Sequence, residues 1–491
     1  MSQVLTLPKP RRNTELVLLF FALTIGIGAS ALVNINLGLG LDTDFYIQAL
    51  ILTSLALAVH IVLRLRAKYA DPVILPIVVA LNGVGLAMID RLDIGTGDNA
   101  ASRQWLWTTV AVAAAIAVIW FLRDHKILRR FTYISLAVSV LLLLLPLIPG
   151  ITAGDINGAR VWIRIGPSTF QPGEIAKITL AIFFAGYLSS HRELILLAGR
   201  KVGPLQLPRA RDLGPMIVAW LASVGVLVFQ RDIGSSVLFF GLFITMIYVA
   251  TSRLSWVLIG LGLIGVGGIA AVRLFPHVWL RIDSWANAFS REAYDRAPGG
   301  SEQIVKGLFA MANGGIMGTG LGRGEPQLVY FANSDMIMAA IGEELGLVGI
   351  TAVMMLYMLL VTRGFRAALG TRDAFGKMLA CGLAFAIALQ CFVVIGGVTR
   401  LIPLTGLTTP FLAAGGSSLL ANWIIVALFL LISDAARRPI STVNPIPGAA
   451  GDHGIGASKN APDLNPAQSQ AQDPASTRPI SDSSTQVVSN L

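Results

Sequence analysis

QWLWTTVAVAAAIAVIWFLRDHKILRR, residues 104–130, decides how this chain is built. Residues 104–122 are apolar or uncharged throughout, and Arg123, Lys126, Arg129 and Arg130 follow at once. An apolar run of about 18–25 residues is long enough to cross a hydrocarbon core as a helix. A basic cluster at its end marks the side that stays in the cytoplasm. The same grammar recurs outward in both directions. Further runs lie near residues 15–35, 45–63, 72–90, 131–149, 171–190, 212–230, 233–251, 254–275, 336–362, 374–398 and 416–434, making twelve. Porin-type barrels are excluded, because their strands alternate polar and apolar over about ten residues. The first run is long, lacks an A-x-A site and is followed by eleven others, so it reads as a span rather than a cleaved signal peptide.

Composition agrees. Of 491 residues, 55% are hydrophobic and 13% charged, with a mean hydropathy of +0.72. Water-soluble domains carry about 25% charged residues, so this chain has too little polar surface to cover a solvent-exposed body. The expected fold is an all-α, polytopic transmembrane helical bundle of about twelve spans. With the N-terminus inside, twenty-two Lys and Arg fall in inner segments and six in short outer ones (Arg91, Arg103, Arg160, Arg164, Arg231 and Arg400). Both termini are therefore expected in the cytoplasm, and the net charge of +10 is a topology signal, not a nucleic-acid patch. One outer connection, about 276–335, is long. Its apolar stretch Ile304 to Met311 and its Gly-rich turns predict an ordered element on the outer face. From Pro439 onward, Pro, Ser, Ala, Gln and Asp dominate, which predicts disorder. Cys381 and Cys391 read as small packing residues.

Charge beside a membrane span is costly and marks candidate function. Four clusters qualify. NGARVWIRIG (157–166) forms an outer loop, and QPGEIAK (171–177) opens a helix with Pro near its first turn. Glu174 and Lys177 then share one face at i and i+3; a structural ion pair beside an interfacial Trp is the competing reading. QRDIGSS (230–236) is a tight outer turn in which Arg231 and Asp232 either mark the turn or serve chemistry. NSDMIMAAIGEELG (333–346) brings three carboxylates into one span. Asp335 sits at its outer boundary, where a base for an external substrate belongs. Glu343 and Glu344 lie two turns deeper, where one of them requires a raised pKa or a cation partner. A proton relay or cation site is the rival reading. RLIPLTG through GGSS (400–418) interrupts a hydrophobic region with prolines and glycines and reads as a re-entrant element lining a cavity. GxxxxGK[ST], GxSxG and HExxH are absent, and the five scattered histidines disfavour a His-built metal site.

In this order, the clusters resemble the SEDS family (shape, elongation, division, sporulation) of RodA, FtsW and SpoVE. The resemblance rests on NGARVWI, QPGEIAK, QRDIGSS, RIDSWANAF, EQIVKGLFAMANGGIMGTGLG, YFANSDMIMAAIGEELG and LIPLTGLTTPFLAAGGSS, across about residues 75–435. Departures from the family pattern are Asn333, Ser334, Gly173, Ala413-Ala414 and the loss of an Asp-Pro pair near Asp283 and Asn287. The family usually has ten spans, which implies a cytoplasmic segment 1–14, an additional pair at 15–71, a transmembrane catalytic core at 72–435 and a cytoplasmic tail at 436–491. By this resemblance the first two spans look like an N-terminal addition, as in actinobacterial members of the elongation branch.

The resemblance implies a plasma-membrane peptidoglycan glycosyltransferase with an extracytoplasmic active site. It would polymerise lipid II during elongation, working with a class B penicillin-binding protein and without nucleic acid. Asp335 would be the catalytic base. Arg160, Trp162, Glu174, Lys177, Arg231, Arg281, Gln303, Glu343, Glu344 and Ser417 would bind substrate. A divalent cation, Mg2+ or Mn2+, would sit at Asp335 or Glu174, with no organic cofactor. The alternatives are a lipid II flippase, a division or sporulation polymerase, and a non-catalytic scaffold for the transpeptidase.

Overall fold

The computed structural model describes residues 10–439 except 157, 167, 198–199, 203–204, 208–209 and 297–299. Expectations for Lys9, Asn157, Arg209 and the tail from residue 440 fall outside the described residues. Each apolar run is a helix. In chain order they are α1 (Arg12–Asn36), α2 (Thr43–Arg66), α3 (Ile74–Thr96), α4 (Ala100–Phe121), α5 (Thr132–Leu144), α6 (Pro172–Leu197), α7 (Ala210–Phe229), α8 (Ile233–Thr251) and α9 (Ser255–Leu274). The long outer connection is ordered and carries α10 (Pro276–Ala286), α11 (Arg291–Tyr294) and α12 (Glu302–Gly314). The bundle closes with α13 (Ile337–Gly370), α14 (Ala374–Val398) and α15 (Gly416–Arg437). Among the described residues, ten helical segments have the length and hydropathy to cross a membrane, and α6 and α7 complete the bundle.

Local chemistry starts these helices where the sequence requires. Asp42, Asp232 and Asp373 each accept a hydrogen bond from the backbone N–H three residues on (Phe45, Ser235 and Gly376, at 2.9, 2.9 and 2.7 Å), filling part of the unsatisfied first turn of α2, α8 and α14. Pro172 opens α6 at a position that needs no N–H. Burial then sorts the helices into layers. α3, α14 and α15 are buried almost all round and form the centre, whereas α1, α2, α4 and α9 turn apolar faces outward to lipid. α1 lies along α3, and α2 against α4.

Three features sharpen the sequence reading. The outer loop before α6 folds into an antiparallel hairpin of β1 (Ile163–Ile165) and β2 (Ser168–Phe170), and the α6–α7 connection into one of β3 (Arg200–Val202) and β4 (Leu205–Leu207). Local pairing satisfies backbone groups that no helix takes up. Second, α13 is not one continuous span. It is two helical pieces joined at Gly346, which has φ 67° and ψ −168°. A Cβ there would stand 2.3 Å from the Gly318 nitrogen, so only glycine fits. Residues 337–344 are buried in protein, while Leu347, Val348, Met355 and Met358 beyond the break are exposed on the lipid-facing side. Glu343 and Glu344 therefore do not lie two turns down a spanning helix; they sit in a short buried helix ahead of it. Third, residues 400–415, between α14 and α15, contain no helix or strand, yet Leu407 and Thr409–Ala413 are buried. This matches the re-entrant expectation.

Candidate active site

Asp335 lies in the turn before α13, where the amides of Ser334 and Met336 both donate to the Phe331 carbonyl (3.0 and 3.1 Å). The carboxylate is partly buried and faces the re-entrant segment at Gly406. A Cβ on Gly406 would stand 3.7 Å from Asp335 Oδ2 and 3.9 Å from Arg281 Nη1. Two residues fifty-four positions apart thus converge on one backbone point. Arg281 comes from α10 and donates from Nη1 to the Leu404 carbonyl (3.3 Å). The end of α10 is fixed in turn by Arg400, whose guanidinium donates to the carbonyls of Trp285 and Ala286 (2.9 Å each), while Trp285 Nε1 donates to the Arg400 carbonyl (3.1 Å).

Burial and neighbouring charges perturb Asp335. Burial pushes its carboxyl up to about 6; the Arg281 cation opposes the rise and the Asp232 carboxylate adds to it. Asp232, at the α8 N-cap, is raised too, first by burial, with Ser235 and Arg281 pulling it down and Glu174 pushing it up. His277 is lowered by burial and by the Arg231 and Arg281 cations. The group therefore comprises two carboxylates, two guanidiniums and an imidazole biased toward its neutral form. Asp232, read from the sequence as either a turn marker or a chemical group, belongs to it. The acid in QRDIGSS was the available signal, masked by its second role as a helix cap.

Lys177 and Glu174 support this group from below. Lys177 is 1% exposed and donates to Glu174 Oε2 (2.8 Å) and Gln390 Oε1 (2.9 Å). Gln390 Nε2 then donates to the Thr408 carbonyl (2.9 Å). A buried ammonium is tolerable only with such partners, and this one ties α6 through α14 to the re-entrant segment. The Arg160 amide donates to the Gln230 carbonyl (3.0 Å), and its exposed guanidinium pairs with Asp155, so the outer hairpin is pinned beside Arg231. Arg160 and Arg231 hold the Asp155 carboxyl below its usual range, Arg160 chiefly by hydrogen bonding.

The structure does not bring the remaining sequence candidates into this group. Glu344 is fully buried, pairs with Arg91 (3.0 Å) and accepts from the Gly322 amide (3.1 Å). Glu343 accepts from Asn313 Nδ2 (3.1 Å) and the Glu325 amide (3.0 Å). Both carboxylates anchor the Gly-rich loop 314–325, and Arg91 is the expected cation partner. Among the described residues, no hydrogen bond joins Trp162, Gln303 or Ser417 to the Asp335 group. Gln303 Nε2 is buried without a partner among the described residues. The loop has a further clamp that sequence reading missed: Asn36, at the end of α1, donates to the Leu321 carbonyl (2.6 Å) and accepts from Arg323 Nε (3.3 Å).

Two cavities adjoin the site. One, of about 470 Å³, is lined by Trp285, Ala286, Leu308, Thr399 and Arg400. The other is an apolar groove of about 790 Å³ between α12, α13 and α14, lined by residues including Met311, Met354, Met358, Phe392 and Thr399. They meet at Thr399. As for metal, the described residues contain no group of three His, Cys, Asp or Glu side chains arranged to hold an ion. Asp232 offers only oxygens, which suits a hard cation that takes its other ligands from water and substrate phosphates.

The FtsW/RodA/SpoVE family model, described as "Cell cycle protein", matches residues 72–438. The peptidoglycan glycosyltransferase RodA of Mycobacterium tuberculosis (strain ATCC 25618 / H37Rv) is 46% identical over 444 residues, covering 89% of this chain and 94% of the relative. Stage V sporulation protein E of Bacillus subtilis is 34% identical, covering 69% and 87%. A probable peptidoglycan glycosyltransferase FtsW of Trichlorobacter lovleyi is 33% identical, covering 75% and 93%. Among solved structures, one described as a peptidoglycan synthase complex coordinating polymerization and crosslinking aligns with a TM-score of 0.59 at 25% identity, over 75% of this chain and 98% of the other. A mutant form of Thermus thermophilus RodA has the same fold, with a TM-score of 0.52 at 24% identity over 74% and 97%. The chain belongs to the FtsW/RodA/SpoVE family, a multi-pass membrane protein standing closer to RodA than to FtsW.

Proposed function

We propose that the Asp335 group is the catalytic centre at which this peptidoglycan glycosyltransferase extends glycan strands from lipid II on the outer face of the plasma membrane, with both termini in the cytoplasm. The supporting observation is the convergence of Asp335 and Arg281 on Gly406. Asp335 takes the proton of the acceptor sugar's 4-hydroxyl as that oxygen attacks C1 of the donor sugar, inverting the anomeric centre. With its carboxyl near 6, it is mostly ionised at neutral pH yet still basic enough to accept a proton. Arg281 and Arg231 stabilise the pyrophosphate charge that develops as the donor's leaving group departs. Lys177 and Glu174, buried and paired, position the re-entrant wall.

Mg2+ or Mn2+ is part of this reading. Asp232 would hold it beside Asp335, leaving the Asp335 carboxylate free as the base, and it would neutralise leaving-group charge. The apolar groove between α13 and α14 suits a polyprenyl chain whose sugar-bearing end reaches Arg400 past Thr399. The likeness to a peptidoglycan synthase complex supports a class B penicillin-binding protein as partner, and the 46% identity to RodA supports a role in elongation.

The test is polymerisation of labelled lipid II by the purified protein, with its partner, read on a glycan gel. Asp335→Asn is expected to lower the rate by about 10²–10⁴-fold while the protein still elutes as a folded monomer or complex. Normal glycan chains from that variant refute the assignment; leaflet exchange without polymer makes the protein a flippase.

A further inference from the structure

The end of the bundle opposite Asp335 carries an arginine cluster that the reaction does not use. Four arginines there have a protein carboxylate. Arg12 pairs with Glu15 (2.6 Å), Arg363 and Arg437 converge on the fully buried Asp71, and Arg438 pairs with Asp434 (2.7 Å), whose other oxygen accepts from the Tyr69 amide (2.8 Å). Arg66 and Arg123 differ from these four: among the described residues neither guanidinium has a hydrogen bond or ion pair, and both face one cavity. Arg66 instead lies over the Trp120 ring, 4.1 Å from its centroid. These two, with Arg438, line a cavity of about 250 Å³ whose other walls are Leu65, Ile119 and Leu431.

The cavity forms where the C-terminal ends of three helices meet, α2, α4 and α15. Leu65 and Phe121 beside it are 61% and 81% exposed, so it opens next to lipid-facing surface, and Trp120 has the half-exposed position of an interfacial aromatic. Positive charge at a membrane boundary is ordinary. Three guanidiniums, one from the last residue of α2 and two from just past the ends of α4 and α15, around one cavity with a single carboxylate among them and an apolar floor, are a site in want of an anion. A basic pocket between spanning helices at this depth fits the phosphate of a lipid headgroup, with the acyl chains running along Leu65 and Phe121.

We infer that this cavity binds the phosphodiester headgroup of an anionic glycerophospholipid of the adjacent leaflet, and that the lipid bridges the N-terminal helix pair (through α2) to α4 and α15. The binding is non-covalent and independent of the glycosyltransferase reaction. The full chain is stripped of lipid in detergent and titrated with cardiolipin, phosphatidylglycerol or phosphatidylcholine, with bound lipid counted by native mass spectrometry. The anionic lipids are expected to remain bound and phosphatidylcholine to be lost. Arg66→Gln and Arg123→Gln should each weaken retention about five-fold, and the double variant about thirty-fold. Arg123→Lys, which keeps the charge, should retain most of the binding. Arg366→Gln, at an exposed basic position away from the cavity, should change nothing. Equal retention by the double variant, or an equal loss in Arg366→Gln, overturns the site. Displacement of the lipid by millimolar inorganic phosphate makes it a free-phosphate site and also overturns the proposal.

Discussion

Replacing Arg281 with Gln tests the electrostatics of the site. Asp335 Oδ2 and Arg281 Nη1 each lie within 4 Å of one point beside Gly406, so they stand at most about 7.6 Å apart, a separation at which opposite unit charges attract by at least about 2 kcal/mol at an effective dielectric of 20. That energy favours the ionised carboxylate. Removing the cation should therefore raise the Asp335 pKa from about 6 to roughly 7.5, since 1.36 kcal/mol corresponds to one pH unit. Glutamine retains a donor for the Leu404 carbonyl, so the fold of the segment should survive. In the wild-type protein, polymerisation should fall tenfold per pH unit below about pH 6, where Asp335 becomes protonated, and be level above it. In Arg281→Gln the same limb should begin above pH 7, so the rate deficit is large at pH 6.5 and shrinks toward pH 9. The residual deficit at high pH measures what Arg281 contributes to the leaving group. The assay is initial glycan-forming rate against pH with lipid II below saturation. An acid limb that stays near pH 6 while the overall rate drops uniformly would refute the coupling of Arg281 to the base.

Other outcomes follow from the supporting contacts. Glu344→Gln leaves Arg91 without its counter-charge in a buried site and should destabilise the protein by about 3–5 kcal/mol, seen as a large fall in the detergent melting temperature. Gly346→Ala forces a Cβ into the Gly318 backbone and should prevent a stable fold, whereas Gly28→Ala, where a Cβ would meet nothing within 4 Å, should be tolerated. Asn36→Ala removes the donor to Leu321 and should cost about 1 kcal/mol, read as faster amide exchange confined to residues 318–325.

The architecture was legible because each span is written twice, as an apolar run and as flanking charge. The twelve runs and the re-entrant segment all appear where residue chemistry places them. The break in α13 was not legible: Gly342 to Gly349 reads as continuing helix, and only the approach of Gly318, twenty-eight residues earlier in the chain, makes Gly346 a joint. The same distance effect hid the roles of Glu343 and Glu344. Their adjacency to Asp335 in sequence suggested a shared site, but their partners, Arg91, Asn313 and the loop amides, come from elsewhere. Asp335 stood out in the sequence as an acid at a span boundary, where charge is expensive. Asp232 did not, because an acid before a helix has a simpler explanation as a cap.

The Asn36 clamp has a consequence for how the molecule can be cut. The family match begins at residue 72, which makes the first two helices look like a detachable leader. Yet Val33 and Asn36 abut Gly322 so closely that a methyl group on that glycine would meet them at 3.0 and 3.2 Å. A truncation at residue 72 would strip the wall from the Gly-rich loop and open its carbonyls to hydrocarbon. A chimaera that grafts this core under another leader would need to rebuild the seam as well as supply two helices. The boundary drawn by homology and the boundary of the folding unit are, in this chain, different places.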